Sequence, residues 1–267
     1  MSVATGIWIY PADSVDELVD AVVTADAAGI DEVWIADEGV MRDPVVVFAA
    51  AARSTRRVRM GIGITSPALR HPGAIAATVA TLDELSGGRI MLGFGVGGDQ
   101  SLGPFGLDVE RPVALVRDAL STARAVLQRV DSGGYTVPDF AAPARDVPLY
   151  VASRGEQINR LASRHADGVF LSGFTPDQLT EVVGWVRSAG SPRVALYQSA
   201  RFQTTATDDP TSVSGDPDQI ADELASLVHA HSPDSIGIAL VDGTDLATMV
   251  DNAIITFAHL AGVSSRG

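Results

Sequence analysis

The chain contains no cysteine, which excludes disulfide frameworks, cysteine-ligated zinc, iron–sulfur clusters and thiol nucleophiles. Positive charge is also scarce, because 19 basic residues face 33 acidic ones and the formal net charge is −14 at pH 7. The sequence lacks the basic surface that dominates nucleic-acid affinity, so we expect no nucleic-acid partner. It has neither a basic leader nor an apolar stretch of about 18 residues, so we expect no membrane association and a cytoplasmic location.

Apolar residues make up 46% of the 267 positions, enough to bury a sizeable core, and we expect one domain spanning residues 1–267. Several apolar runs are short and β-branched, and longer segments with helical periodicity follow them. This alternation is typical of parallel α/β folds. We count eight strand-like runs, at Gly6–Tyr10, Val33–Ala36, Val58–Thr65, Ile90–Phe94, Leu149–Ala152, Val169–Leu171, Val194–Ser199 and Ile236–Val241.

Helix start and stop signals lie between these runs. A serine and a glutamate three positions later form a potential capping box, and three further polar residues each precede a proline, which favours the first helical position. Glycines suited to helix ends follow two of the segments. These signals are Ser14 with Glu17, Asp43-Pro44, Thr175-Pro176, Asp216-Pro217, Gly29 and Gly87-Gly88.

Eight strands and eight helices in about 250 residues predict a (β/α)8 TIM barrel. The alternative is a doubly wound open sheet, but no strand-like run is followed by Gly-x-Gly-x-x-Gly with an acid about 20 positions later. The polar stretch Thr204–Asp216 is interpreted as a surface loop, a short insertion after strand seven.

In a barrel the functional residues follow the carboxyl ends of the strands. Asp37 and Glu38 occupy such a position after the second run. Adjacent carboxylates there can accept hydrogen bonds, transfer protons or bind a metal, but they can equally be solvated loop acids. We expect no metal site, because the five histidines lie on helices or at loop starts, away from strand-end carboxylates: His71, His165, His229, His231 and His259.

Two more strand ends favour ligand binding. The glycine-rich segment Gly95–Gly98, with Val96 within it, allows a ligand close to the backbone, although such loops are also ordinary turns. Ser153, Arg154 and Gly155 precede a predicted helix, whose first amides and dipole favour an anion. A phosphate would fit there, but Ser153 can also be a simple N-cap.

Five blocks in order resemble the bacterial luciferase-like superfamily, and especially its deazaflavin-dependent branch. The block "ATLDELSGGRIMLGFGVGG" is the most specific. The resemblance implies a TIM-like barrel, often a homodimer, that binds coenzyme F420 or FMN. The blocks are Ala28–Glu38, Arg42–Pro44, Arg59–Pro72, Ala80–Gly98 and Tyr150–Val169.

The resemblance also implies residue roles. It predicts a cis peptide bond between Gly63 and Ile64 that backs the cofactor ring, with Asp37 at the polar edge of the ring. Glu38 is the nearby residue that we nominate as proton donor or acceptor, so we predict Asp37 and Glu38 as catalytic. The predicted cofactor-binding residues are Asp37, Gly63, Ile64, Thr65, Gly95, Val96, Gly97, Gly98, Ala152, Ser153, Arg154 and Gly155.

The function that the resemblance implies is an F420-dependent oxidoreductase that exchanges hydride with a small organic substrate. Two alternatives remain: an FMN-dependent monooxygenase, and a cofactor-binding barrel without catalysis. The chain departs from the family at Glu38-Gly39, where histidine is common, and at Gly98-Asp99, where some deazaflavin dehydrogenases have glutamate. Its insertion after strand seven is also short, which leaves an open exit for the tail of F420.

Overall fold

The computed structural model describes residues 3–132, 134–202, 209–241 and 243–264, without the side chains of the last two residues. The elements in chain order are β1 (Ala4–Ile9), α1 (Val15–Ala28), β2 (Glu32–Ile35), α2 (Pro44–Ala51), β3 (Arg59–Thr65), α3 (Pro72–Ser86), β4 (Ile90–Phe94), α4 (Asp99–Leu102), a 3-10 turn (Gly103–Phe105), α5 (Pro112–Gln128), β5 (Leu149–Ala152), α6 (Glu156–His165), β6 (Gly168–Ser172), α7 (Pro176–Ala189), β7 (Arg193–Arg201), β8 (Ser212–Ser214), α8 (Pro217–His231), β9 (Ser235–Leu240) and α9 (Leu246–Ser264).

Eight of the strands form a closed parallel barrel. Strands β1 to β7 pair in chain order, β9 pairs with β7, and β9 also pairs with β1, which closes the cylinder. The long helices surround it, and a continuous apolar core separates them from the strands. The predicted (β/α)8 barrel is therefore confirmed, and the open-sheet alternative is wrong.

The helix signals read from the sequence act as predicted. Ser14 and Glu17 form a reciprocal capping box at α1, and Thr175 and Asp216 do the same at α7 and α8. The Asp43 side chain accepts a hydrogen bond from the amide of Val45 at the start of α2. Side chains within a few residues of each boundary fix these helix starts, which is why the sequence sufficed to locate them.

The interpretation of Thr204–Asp216 as a loop is wrong in part. Residues 203–208 lie outside the described residues, but Ser212–Ser214 form β8, which pairs in parallel with Ser199–Arg201 of β7. The cause is that β7 continues past Tyr197, where its pairing with β6 ends. Its further backbone groups are paired by β8, so the run predicted as strand eight, Ile236–Val241, corresponds to β9.

Aromatic side chains fill the middle of the barrel. The ring of Trp34 meets Tyr150 and Phe170 edge-on, with centroids 5.2 and 5.1 Å apart, and Phe170 stacks on Tyr197 at 4.6 Å. Glycines in the strands make room for these rings. A Cβ on Gly61 would lie 2.2 Å from the Trp34 ring, so this layer is packed against bare backbone.

A buried carboxylate lies beside this aromatic layer. Glu32 is 1% exposed, and its Oε2 accepts hydrogen bonds from Trp34 Nε1 and the Tyr197 hydroxyl, each at 3.2 Å. Arg59 Nη1 lies 3.7 Å from its other oxygen. Burial and the neighbouring Glu32 raise the pKa of Tyr197 well above its ordinary value. These polar groups join the start of β2 to β3 and β7 inside the barrel.

Within the described ranges, none of the helices has both the length and the apolar character that a bilayer crossing requires.

Candidate active site

A cavity of about 720 Å³ opens at the carboxyl ends of the strands, where Phe170 of the aromatic layer forms part of its wall. The sequence-predicted residues come from four separate loops, and the barrel brings most of them to this one space. Those that line it are Asp37, Glu38, Gly63, Ile64, Thr65, Val96, Gly97, Gly98, Ala152, Ser153 and Arg154. Gly95 and Gly155 are not among its lining residues.

Gly95 lies behind the wall, and Gly155 lies at the exposed start of α6. A Cβ on Gly95 would lie 2.0 Å from Cδ1 of Ile64, so Gly95 makes room for that side chain. Gly155 is the N-cap of α6, and its amide donates to the Ser153 hydroxyl at 3.1 Å. The interpretation of Ser153 as the N-cap is therefore wrong, because the helix begins two residues further on and has no side-chain cap.

The peptide bond between Gly63 and Ile64 is cis, as predicted. The pairing of β3 with β4 shifts register between Ile62 and Thr65, which produces a bulge at the cavity wall. The indole of Trp8 donates a 2.7 Å hydrogen bond to the carbonyl oxygen of Gly63. A side chain of β1 therefore holds the bulge in β3, although β2 lies between these two strands.

Asp37 is buried and held by three groups. Its Oδ2 accepts a 2.7 Å hydrogen bond from the Thr65 hydroxyl and lies 3.7 Å from Arg70 Nε, while its Oδ1 accepts from the amide of Gly39 at 3.3 Å. Arg70 also pairs closely with Asp43 at the start of α2. Asp37 is therefore a fixed hydrogen-bonding group on the wall and not a solvated loop acid.

Glu38 is held differently from its neighbour. Its side chain is partly buried at the cavity and accepts no hydrogen bond from the residues that the structure describes. Burial, and then the nearby Asp37, raises the pKa of the Glu38 carboxyl above its ordinary value. A carboxyl group with a raised pKa and a free face toward a cavity is suited to proton transfer.

The sequence analysis missed a pair of residues at the cavity. The side-chain amide of Gln100, on α4, donates a hydrogen bond to the hydroxyl of Tyr10, which follows β1. Burial raises the pKa of Tyr10, and Glu38 raises it further. Tyr10 ends the first strand-like run, so it stands where the barrel rule places functional residues. Its contact with Gln100 spans 90 positions and has no local signal.

Arg154 is the positively charged part of the cavity lining. Its guanidinium carbon lies 5.8 Å from the centroid of the Phe174 ring, and a Cβ on Gly173 would lie 2.7 Å from one of its nitrogens. Arg154 makes no ion pair with the described residues. Because α6 also begins without a side-chain cap, a cation and an uncapped helix terminus lie together at this end of the site.

The histidines are distributed around the barrel. His71 Nδ1 accepts from the amide of Gly73 at the start of α3, and His259 lies 3.1 Å from Asp218. His165 and His231 end α6 and α8, and His229 lies in the last turn of α8. No three histidine, aspartate or glutamate side chains of the described segments come together in the manner of a metal site.

The sequence matches the model of one protein family, luciferase-like monooxygenases, over residues 2–211. A 5,10-methylenetetrahydromethanopterin reductase from Methanolobus tindarius is 29% identical over 64% of this chain and 54% of its own length. An F420-dependent glucose-6-phosphate dehydrogenase from Beutenbergia cavernae is 35% identical over 62% of this chain and 56% of its own length. The chain thus spans little more than half the length of these two relatives.

Solved structures show the same fold. The coenzyme F420 dependent tetrahydromethanopterin reductase from Methanopyrus kandleri superposes with a TM-score of 0.85 at 21% identity, covering 97% of this chain and all of that one. The oxygenating constituent of 3,6-diketocamphane monooxygenase from Pseudomonas putida, in complex with FMN, gives a TM-score of 0.75 at 16% identity, covering 98% and 99%. At these identities the likeness establishes the barrel alone.

Proposed function

The chain belongs to the luciferase-like monooxygenase family, and from that premise we propose that it is an F420-dependent oxidoreductase. It exchanges hydride between the deazaflavin and a small organic substrate. The observation that carries the proposal is the single cavity that joins the Gly63–Ile64 bulge, the Asp37-Glu38 pair and the Arg154 end of the barrel. Similarity to F420-dependent relatives supports this cofactor.

The residues present fit such a cofactor. Ile64, Val96, Ala152 and Phe170 give the cavity apolar wall surface for a flat ring system. Asp37 lies on the same wall as a fixed acceptor for the polar edge of that ring. The guanidinium of Arg154, which makes no ion pair with the described residues, and the uncapped start of α6 suit the phosphate of the cofactor.

When bound, the deazaflavin supplies or accepts hydride at its C5 carbon. The protein provides orientation and proton transfer. Glu38 is the proton donor when a substrate is reduced and the acceptor when one is oxidised, because its raised pKa brings it closer to neutral pH. Asp37 stays bonded to Thr65 and Arg70, and therefore orients ligands and does not itself transfer protons.

An FMN-dependent monooxygenase is the second candidate, favoured by the structural likeness to a monooxygenase in complex with FMN. The same phosphate end would serve FMN. Our preference for F420 follows from the similarity to F420-dependent relatives and from the small number of residues in the connection after β7. A barrel that binds a cofactor without catalysis is the third possibility, and it too is tested by activity assays.

Three further expectations complete the proposal. A homodimer is favoured by the family resemblance, a cytoplasmic location by the composition of the sequence, and a single domain by the closed barrel. All three stay predictions.

Titration of the purified protein with F420 and with FMN, monitored by cofactor fluorescence, tests the proposal. We expect tighter binding of F420, and hydride exchange of bound F420 with an alcohol or carbonyl compound. Binding of FMN alone, with oxygen-dependent turnover, would establish the monooxygenase instead. Binding of F420 without turnover on a broad substrate panel would favour a barrel that has lost catalysis.

A further inference from the structure

The distribution of charge in the cavity bears on which substrates the site accepts. The chain has no lysine, so its 19 basic residues are all arginines. Among the residues of the described ranges that line the cavity, Arg154 is the one arginine. The part of the lining that the structure describes therefore offers one cation.

That cation lies at the β5 side of the mouth. Arg154 follows β5 and packs against Phe174 and Gly173 of the neighbouring β6 connection. The proposed function assigns it to the phosphate of the cofactor. With Arg154 engaged by that phosphate, no other arginine of the described lining remains for an anionic group on a substrate.

The two carboxylates lie three strands away, after β2. Arg70 partly offsets the charge of Asp37, but it is shared with Asp43 and does not line the cavity. Glu38 has no positive partner among the described residues. The raised pKa of Glu38 agrees with this arrangement, since it reports burial and a neighbouring negative charge.

Apart from Asp37, Glu38 and Arg154, the hydrogen-bonding side chains among the described lining residues are uncharged. The Tyr10 hydroxyl, fixed by Gln100, and the hydroxyls of Ser172 and Ser199 face the same cavity, together with the ring of Trp8. Such groups can bind hydroxyl and carbonyl oxygens of a neutral molecule. A phosphate or carboxylate placed near Tyr10 and Glu38 would be desolvated beside that carboxyl group without a cation to balance it.

We propose that this site takes an uncharged alcohol or carbonyl compound and rejects phosphorylated and carboxylated analogues. The inference rests on the proposed function, because it needs Arg154 to be occupied by the cofactor. In the reduction direction, hydride adds to the carbonyl carbon, the C=O π bond breaks, and the oxygen takes the proton of Glu38. The reduced F420 of the proposed function would supply this hydride and so be oxidised, and oxidation of the alcohol would be the reverse.

A matched pair of probes tests, without turnover, whether the site prefers an uncharged compound to an anion. Cyclohexanecarboxamide and cyclohexanecarboxylate have nearly the same shape and differ in charge, and their binding to the F420-loaded protein is measured by calorimetry at pH 7. We expect the amide to bind at least about tenfold more tightly than the carboxylate, a difference of about 1.4 kcal/mol. Equal affinities, tighter binding of the carboxylate, or no binding of the amide would overturn the proposal.

Two variants distinguish the local effect of Glu38 from an effect of the protein's net charge. Glu38→Gln should reduce the ratio of the amide affinity to the carboxylate affinity several-fold, because the carboxylate should bind more tightly. Glu181→Gln, on the exposed face of α7, also removes one negative charge, but at a position away from the cavity. It should leave the affinity ratio unchanged. Equal effects of the two variants would contradict the local explanation.

F420 titration of the same samples keeps the two proposals distinguishable. If F420 does not bind, the proposed function fails. If F420 binds and the carboxylate probe binds as well as the amide, only the inference about the substrate fails. Reduction of bound F420 by glucose 6-phosphate would likewise overturn the inference while supporting the proposed function, since that substrate is an anion.

Discussion

The hydroxyl of Thr65 donates a 2.7 Å hydrogen bond to Oδ2 of Asp37, and both side chains are almost fully buried. The contact joins the end of β3 to the residue that follows β2, beside the Gly63–Ile64 bulge. It fixes the carboxylate on the cavity wall before any ligand arrives. Preorganised groups of this kind are what a binding site needs for an oriented ligand.

Replacement of Thr65 by valine should destabilise the protein by about 1–3 kcal/mol, because Asp37 then loses a buried hydrogen-bond donor. Urea denaturation measures the change. Thr65→Ser is the matched control, since it keeps the hydroxyl and should recover most of the loss. A valine variant as stable as the wild type would show that Arg70 and the Gly39 amide satisfy the carboxylate on their own.

The double variant Ser153→Ala with Arg154→Ala should weaken F420 binding by roughly tenfold to several hundredfold, the value of one or two hydrogen bonds to a charged group. Fluorescence titration measures it. The deazaflavin fragment that lacks the phosphate should bind both proteins alike. Arg160→Ala, on α6 and paired with Glu156, is the control variant and should change neither affinity. Unchanged F420 binding in the double variant would place the phosphate elsewhere on the rim.

Glu38→Gln should make stability less dependent on pH. A carboxyl whose pKa is higher in the folded state than in the unfolded chain contributes stability at low pH and loses that contribution as the pH rises through the folded value. Glutamine has no such loss, so the variant should melt at a higher temperature than the wild type at pH 7. The advantage should shrink as the pH falls through the raised folded value, and it should be absent below the ordinary glutamate value of about 4.3.

In the same Glu38→Gln variant, the rate of hydride exchange should no longer show the pH dependence that ionisation of Glu38 causes. An unchanged profile, together with an unchanged rate, would show that Glu38 does not transfer protons in the reaction.

Gly61→Ala should destabilise the barrel by about 3 kcal/mol, because the new methyl group would lie 2.2 Å from the Trp34 ring. Gly184→Ala is the matched control, since its Cβ meets nothing within 4 Å on α7, and it should stabilise the protein by about 0.5–1 kcal/mol through helix propensity. Thermal or urea denaturation of both variants measures the contrast. Similar stabilities for the two would mean that the aromatic layer moves easily.

The barrel and its helix starts were predictable because their signals are local. Thr175 and Gln178, for example, cap α7 with side chains only three positions apart. β8 was not predictable in this way. Its sequence Ser212–Ser214 has one apolar residue, and the strand exists because β7 extends beyond β6 and leaves backbone groups to be paired. That cause is visible only once the strands are assembled.

The candidate site likewise has residues with a local sequence signal and contacts that depend on the assembled barrel. Asp37, Glu38 and Arg154 follow strand-like runs, so the barrel rule alone selected them. The pairing of Tyr10 with Gln100 depends on the distance between the β1 and β4 ends around the barrel, which a linear sequence does not state. The sequence also did not predict the helix start at Glu156. The Ser153 hydroxyl accepts a hydrogen bond from the amide of Gly155 and does not cap α6.

The aromatic layer of Trp34, Tyr150, Phe170 and Tyr197 has a kinetic consequence. Because these rings fill the interior and are almost fully buried, the cavity opens at the carboxyl ends of the strands. We therefore expect both ligands of the proposed function to use that opening, with the deeper ligand binding first and leaving last. A molecule that occupies the opening should then slow the escape of the ligand behind it.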